Sequence, residues 1–129
     1  MAKIMVIEDD HHLGSLLKEY FNNLDVDVEI NYNAMSALRQ LKREKYDLLI
    51  TDINMSPMSG FELIQEVRVF NKQIKIVAMS GSFISSENNL NHLKDELSEV
   101  GMDSFLQKPF LMEDIKQVLR DFGLYSQPA

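Results

Sequence analysis

The sequence predicts an α/β fold of five βα units, with the strands in one doubly wound parallel sheet covered by helices on both faces. Three observations predict it. Short apolar runs alternate five times with stretches whose apolar residues recur at helical spacing. Lys3–Ile7 and the run at Leu48 are apolar without alternation, as strands buried on both faces must be, whereas Val26–Ile30 alternates with Asp27 and Glu29 like an edge strand. The runs also stop at polar or charged residues, most abruptly in Leu48–Gly60, where Leu48-Leu49-Ile50 meets Asp52 and a loop carrying Pro57.

The first strand, Lys3–Ile7, is stopped by Glu8-Asp9-Asp10. Leu13, Leu16, Leu17, Tyr20, Phe21 and Leu24 then follow the i, i+3, i+4 template of an amphipathic helix, with Asp10 as its N-cap or first-turn residue. Ala34, Ala37, Leu38 and Leu41 mark a second helix, and Lys42, Arg43 and Lys45 at its end suit the negative pole of the helix dipole. After the third strand, Phe61, Ile64, Val67 and Phe70 stripe a third helix. Ile74–Met79 is the fourth strand, ending at Ser80-Gly81-Ser82, and a polar loop over Ser82–Asn89 holds Phe83 and Ile84. Leu90, Leu93, Leu97 and Val100 stripe a fourth helix that Gly101 ends. Asp103–Gln107 is a short fifth strand before Lys108-Pro109-Phe110, and Leu111, Ile115, Val118, Leu119 and Phe122 form the last helix.

A chain of 129 residues fits one domain with a sizeable core. The net charge of −7 argues against nucleic-acid binding and against anionic membranes. With no cysteine, disulfides and thiolate metal sites are excluded. No run is long enough to span a membrane, and the N-terminus meets acid too early for a signal peptide, so the expected location is cytoplasmic. The eight Met read as core filling.

Parallel α/β sheets bind ligands beyond the carboxyl ends of their strands, where strand order reverses. Here those ends carry Glu8-Asp9, Asp52, Ser80 and Lys108, while the second strand ends in uncharged Asn31-Tyr32. If the strands take the order 2-1-3-4-5, the first and third are neighbours, and three carboxylates would crowd one spot beside a hydroxyl and an ammonium. Two carboxylates about 5 Å apart repel by roughly 3 kcal/mol at an effective dielectric near 20. A hard divalent cation with oxygen ligands relieves this, and Mg²⁺ takes a few carboxylates plus waters. Mg²⁺ and a lysine in one site suit a phosphoryl group, and the chemistry implied is phosphoryl transfer onto a carboxylate.

These residues resemble the receiver domain of two-component response regulators, a CheY-like family with the flavodoxin-like sheet. The match is carried by Val6-Ile7-Glu8-Asp9, Thr51-Asp52 with Met55 and Gly60, Ser80-Gly81, and Phe105 with Lys108-Pro109-Phe110, over essentially the whole chain. The resemblance implies that Asp52 is the phosphoacceptor, that Asp9 ligates Mg²⁺ directly and Glu8 through water, and that Asn54 offers its backbone carbonyl to the metal. It implies that Ser80 and Lys108 hold phosphoryl oxygens, that Phe105 is an aromatic switch, and that Lys108–Pro109 is cis. Residues 1–124 would be one receiver domain, 125–129 a short C-terminal tail, with no output domain. The chain would catalyse only its own Mg²⁺-dependent phosphorylation and dephosphorylation, with a histidine kinase or phosphotransfer protein as donor. It would act through the face of the fourth helix, fifth strand and fifth helix on a protein target, or relay the phosphate, as a monomer or a phosphorylation-dependent dimer.

Two features depart from the family pattern. Pro57 stands one place late after Met55, and the interval from Ser80 to Gly101 is about a turn and a half longer than in short receivers, an excess assigned to Ser82–Asn89. Asn54 and Ser82 occupy the positions two beyond Asp52 and Ser80 that influence phosphoryl lifetime in the family. The competing reading is a docking module that keeps the fold without phosphorylation, and an absence of Mg²⁺ binding would favour it. A haloacid-dehalogenase-type enzyme would need a second Asp where Asn54 stands, and flavin phosphate would be repelled by Glu8-Asp9-Asp10. Adjacent His11 and His12 do not share a helix face, so they read as exposed rather than as a metal pair.

Overall fold

The computed structural model describes residues 1–81 and 87–125. Five strands, β1 (Lys3–Ile7), β2 (Asp27–Asn31), β3 (Leu48–Asp52), β4 (Lys75–Ser80) and β5 (Ser104–Gln107), alternate with five helices. The helices are α1 (His11–Asn22), α2 (Ala34–Arg43), α3 (Gly60–Phe70), α4 (Glu87–Val100) and α5 (Met112–Asp121). The sheet is parallel throughout, in the order β2-β1-β3-β4-β5. Among the described residues no helix is long and apolar enough to cross a membrane.

The period-2 geometry of the strands divides each apolar run between two cores. Ile4, Val6, Leu48, Ile50, Val77 and Met79 face one core with Leu17 and Phe21 of α1 and Ile115, Val118 and Leu119 of α5. Met5, Ile7, Leu49, Ile76 and Ala78 face the other, closed by α2, α3 and Leu97 of α4. Every position in β1 after Lys3 and in β3 is buried, so those runs show no alternation. At the edge, β2 keeps Asp27 exposed and Glu29 half-buried.

Helix starts follow local chemistry. The Asp10 carboxylate accepts from the backbone N–H of His12 at 2.9 Å and Leu13 at 3.2 Å, the expected N-cap of α1. Asp10→Ala is expected to lower unfolding stability by about 1 kcal/mol, read as a reduced urea midpoint at unchanged slope. Ser59 and Glu62 form a reciprocal capping box on α3, and Asn33 caps α2.

Several boundaries differ from the sequence reading. α4 begins at Glu87, not Leu90, because its first turn, Glu87-Asn88-Asn89, presents no apolar residue to signal it. The rest of the expected polar loop, with Ser82, Phe83 and Ile84, lies outside the described residues. Leu111 is the exposed N-cap of α5 rather than part of its apolar stripe, and Leu16 is 49% exposed. Phe70 is exposed as well, and of the methionines only Met5 and Met79 are buried. Gly101 does end α4, at φ +119°, with its N–H and that of Met102 donating to the Leu97 carbonyl. Beside it, Arg68 donates to the carbonyls of Gly101, Asn71 and Ile74 and pairs with Asp103 at 2.9 Å, fastening α3 to the entry of β5.

Candidate functional site

Parallel pairing carries the strand ends to one pole of the sheet. Asp52 is the last residue of β3 and Ser80 the last of β4, while Glu8 follows β1 and Lys108 follows β5. All but Lys108 are nearly closed to solvent, with Glu8 and Ser80 each 1% and Asp52 6% exposed. Asp9 is exposed, so it is the carboxylate of the set that faces water.

Lys108 is the hub. Its ammonium lies 2.7 Å from Glu8 Oε2 and 3.1 Å from Asp52 Oδ2. The other oxygens of those carboxylates are held by main-chain donors: Asp10 N–H to Glu8 Oε1 at 3.2 Å, and Asn54 N–H to Asp52 Oδ1 at 3.1 Å. The Lys108 main chain is fixed in turn by its N–H donating to the Ser80 carbonyl at 2.8 Å.

Burial raises the Glu8 carboxyl above its ordinary pKa, opposed by the hydrogen bond from Lys108 and reinforced by the Asp52 charge. For Lys108, burial alone would push the ammonium down. The hydrogen bonds and charges of Glu8 and Asp52 outweigh it and hold the pKa above its ordinary value.

One oxygen from each of Glu8, Asp9 and Asp52 lies within 4.8 Å of the others. Opposite ligands of octahedral Mg²⁺ are about 4.2 Å apart. Three convergent carboxylates in partial burial therefore fit a hard divalent cation that keeps some of its waters.

Two glycines make room for this arrangement. A Cβ on Gly60 would lie 2.1 Å from the Asp52 carbonyl oxygen and 2.8 Å from Ile53 Cα, because the Gly60 N–H closes the loop onto the Ile53 carbonyl at 2.9 Å. A Cβ on Gly81 would meet Lys108 Cβ at 2.9 Å and Cδ at 3.0 Å, so Gly81 is the floor along which the lysine stem runs. Both glycines are visible in the sequence, but nothing there shows what passes against them. The supporting N–H groups of Asp10 and Asn54 are likewise absent from a side-chain reading.

The structure brings Glu8, Asp9, Asp52 and Lys108 together, with Ser80 at the neighbouring strand end. Asn54 is exposed two residues beyond Asp52. Phe105 stands apart, paired with Ala78 inside β5 and half-buried against the core beneath α4, with Lys94 Nζ 5.4 Å from its ring centre. Lys108–Pro109 is cis, as the resemblance implies, and Ser56–Pro57 is also cis where the loop leaves the family pattern. His11 and His12 are exposed, and the His11 ring stacks on Tyr32 at 3.9 Å.

A family model described as "Response regulator receiver domain" matches residues 4–120. The transcriptional regulatory protein RprY of Bacteroides fragilis is 33% identical over 116 residues, covering 88% of this chain and 45% of that protein. The sensor protein EvgS of Escherichia coli is 33% identical over 113 residues, 87% of this chain but 9% of EvgS. The chain thus spans less than half the length of these relatives. Among solved structures, the Vibrio cholerae chemotaxis protein CheY4 aligns with a TM-score of 0.84 at 25% identity, covering 95% of this chain and 98% of that one. The response regulator TrrA of Thermotoga maritima, in complex with Mg²⁺-BeF, aligns at 0.81 and 27% identity, covering 95% and 99%.

Proposed function

The chain belongs to the family of response regulator receiver domains, and on that premise we propose that it accepts a phosphoryl group on Asp52 from a histidine kinase or phosphotransfer protein. The observation that carries this is the convergence of Glu8, Asp9 and Asp52 with Lys108, whose ammonium stands 3.1 Å from Asp52 Oδ2. An Asp52 oxygen attacks the phosphorus of a phosphoimidazole, the P–N bond breaks, and its electron pair goes to the imidazole nitrogen, which takes a proton from solvent. Lys108 neutralises oxygen charge on the transferring group, and Ser80 donates its hydroxyl to another phosphoryl oxygen. Glu8, Asp9, Asp52 and the Asn54 carbonyl are the groups to hold Mg²⁺, which when bound neutralises and orients phosphoryl oxygens.

Phosphorylation places about −1.5 to −2 charges beside Lys108. The lysine then exchanges carboxylate partners for phosphoryl oxygens, and Phe105 repacks beneath α4 as Ser80 moves. The altered α4-β5-α5 face binds a protein target, or the phosphate is relayed onward. Residues 1–124 act as the receiver unit, in the cytoplasm.

The test is label uptake from a small acyl phosphate with Mg²⁺. Wild type is expected to take up label only with the metal, and Asp52→Asn to fall by about a hundredfold or more. Equal uptake by the variant refutes the assignment.

A further inference from the structure

The pole opposite Asp52 carries a surface that phosphoryl chemistry does not use. There, about 13 Å of strand away, the loops over 44–47 and 71–74 enter β3 and β4. Between them is a depression of about 240 Å³ lined by Lys45, Tyr46, Asp47, Asn71, Gln73 and Ile74. Immediately before Asn71 the end of α3 exposes two consecutive apolar side chains, Val69 at 79% and Phe70 at 39%. Lys42 of α2 reaches this patch, its Nζ 5.7 Å from the Phe70 ring centre.

The charge there runs against that of the chain. Net charge is −7, yet no Asp or Glu occurs between Glu66 and Glu87. Among the described residues, Lys42, Arg43, Lys45 and Lys72 form no ion pair. Of the nearby acids, Glu44 is paired with the Lys3 ammonium, and Asp47 accepts from the Lys3 backbone N–H and keeps its charge, so that four cations stand against Asp47 and Glu66. The result is an apolar pair beside a concave loop junction with an excess of positive charge around it, the arrangement of an interface with an apolar centre and polar rim.

We propose that this pole docks an acidic segment of a partner protein, with an apolar side chain of that segment on Val69 and Phe70 and its carboxylates on Lys42, Lys45 and Lys72. A peptide fits better than an anionic membrane or nucleic acid. Glu44, Asp47 and Glu66 interrupt the basic surface and would repel a continuous anionic one, whereas separate carboxylates pass between them. Charge complementarity of this kind sets specificity and association rate. The surface is independent of phosphorylation at Asp52.

The experiment is an amide NMR titration of the isotope-labelled chain with a capped acidic hexapeptide bearing a central Phe-Leu pair, and separately with phosphatidylserine vesicles. Saturable shifts confined to 42–47 and 69–75 are expected, weakened about tenfold or more in the Lys42→Glu/Lys72→Glu variant and in Val69→Ser, and unchanged in Asp52→Asn. All the substituted lysine and valine side chains are exposed, and urea midpoints equal to wild type verify that the variants fold. Shifts that are absent, scattered over the surface, or equal in the charge-reversed variant overturn the proposal. Vesicle binding without saturable peptide shifts overturns it in favour of a membrane.

Discussion

Lys108→Met is expected to destabilise the chain by about 2–3 kcal/mol near neutral pH and to lose most of that penalty in acid. The lysine is the cation between two carboxylates that the fold has largely removed from water, Glu8 and Asp52. The magnitude stands below that of a fully buried pair because 18% of the Lys108 side chain remains exposed. Glu8 has a raised folded pKa, so it favours the fold when protonated; that contribution is complete below its unfolded pKa and is lost as pH rises through the folded one. Without Lys108 the folded pKa rises further, and the variant suffers most where Glu8 must ionise. Urea unfolding at about pH 7.5 and about pH 4 checks the sign, and Glu8→Gln in the same chain should recover much of the neutral-pH loss. A penalty equal at both pH values would mean that the lysine acts through packing of its stem on Gly81, not through charge.

Gly60→Ala is expected to cost about 3 kcal/mol and to weaken Mg²⁺ binding by about tenfold or more. The added Cβ meets main-chain atoms, the Asp52 carbonyl at 2.1 Å and Ile53 Cα at 2.8 Å, so no rotamer change relieves it. Either α3 moves out or the end of β3 moves, and Asp52 moves with it. Gly123 separates space from backbone conformation: a Cβ there meets nothing within 4 Å, although φ is +71°. Gly123→Ala should therefore cost only about 1 kcal/mol and leave metal binding alone. Comparable Mg²⁺ affinity in Gly60→Ala and wild type, by calorimetric titration, would show that the loop absorbs the methyl without displacing Asp52.

Much of the site is legible in the sequence because a parallel sheet gathers the C-terminal ends of its strands. Glu8, Asp52, Ser80 and Lys108 can be found by asking where each apolar run stops. β1 and β3 are legible for a related reason: burial on both faces leaves an unbroken apolar run. Where a segment is only partly buried, the signal fails. The first turn of α4 holds Glu87, Asn88 and Asn89, all exposed, so a stripe-based reading starts the helix one turn late. Leu16 and Leu111 have the spacing of core residues yet face solvent, since periodicity reports a face and not what covers it. The roles of Gly60 and Gly81, and the main-chain donors of Asp10 and Asn54, depend on which backbone passes nearby. That information exists only in the folded chain.

If Asp52 carries the phosphoryl group, chemical trapping of the acyl phosphate must locate it on that residue. The chain is treated with a small acyl phosphate and Mg²⁺, reduced with borohydride, digested and mapped by mass spectrometry. The reductive mark is predicted on Asp52 alone, dependent on Mg²⁺ and absent without the phosphodonor. A mark on Glu8, Asp9 or any other carboxylate, or none under conditions in which a control receiver is marked, would contradict it.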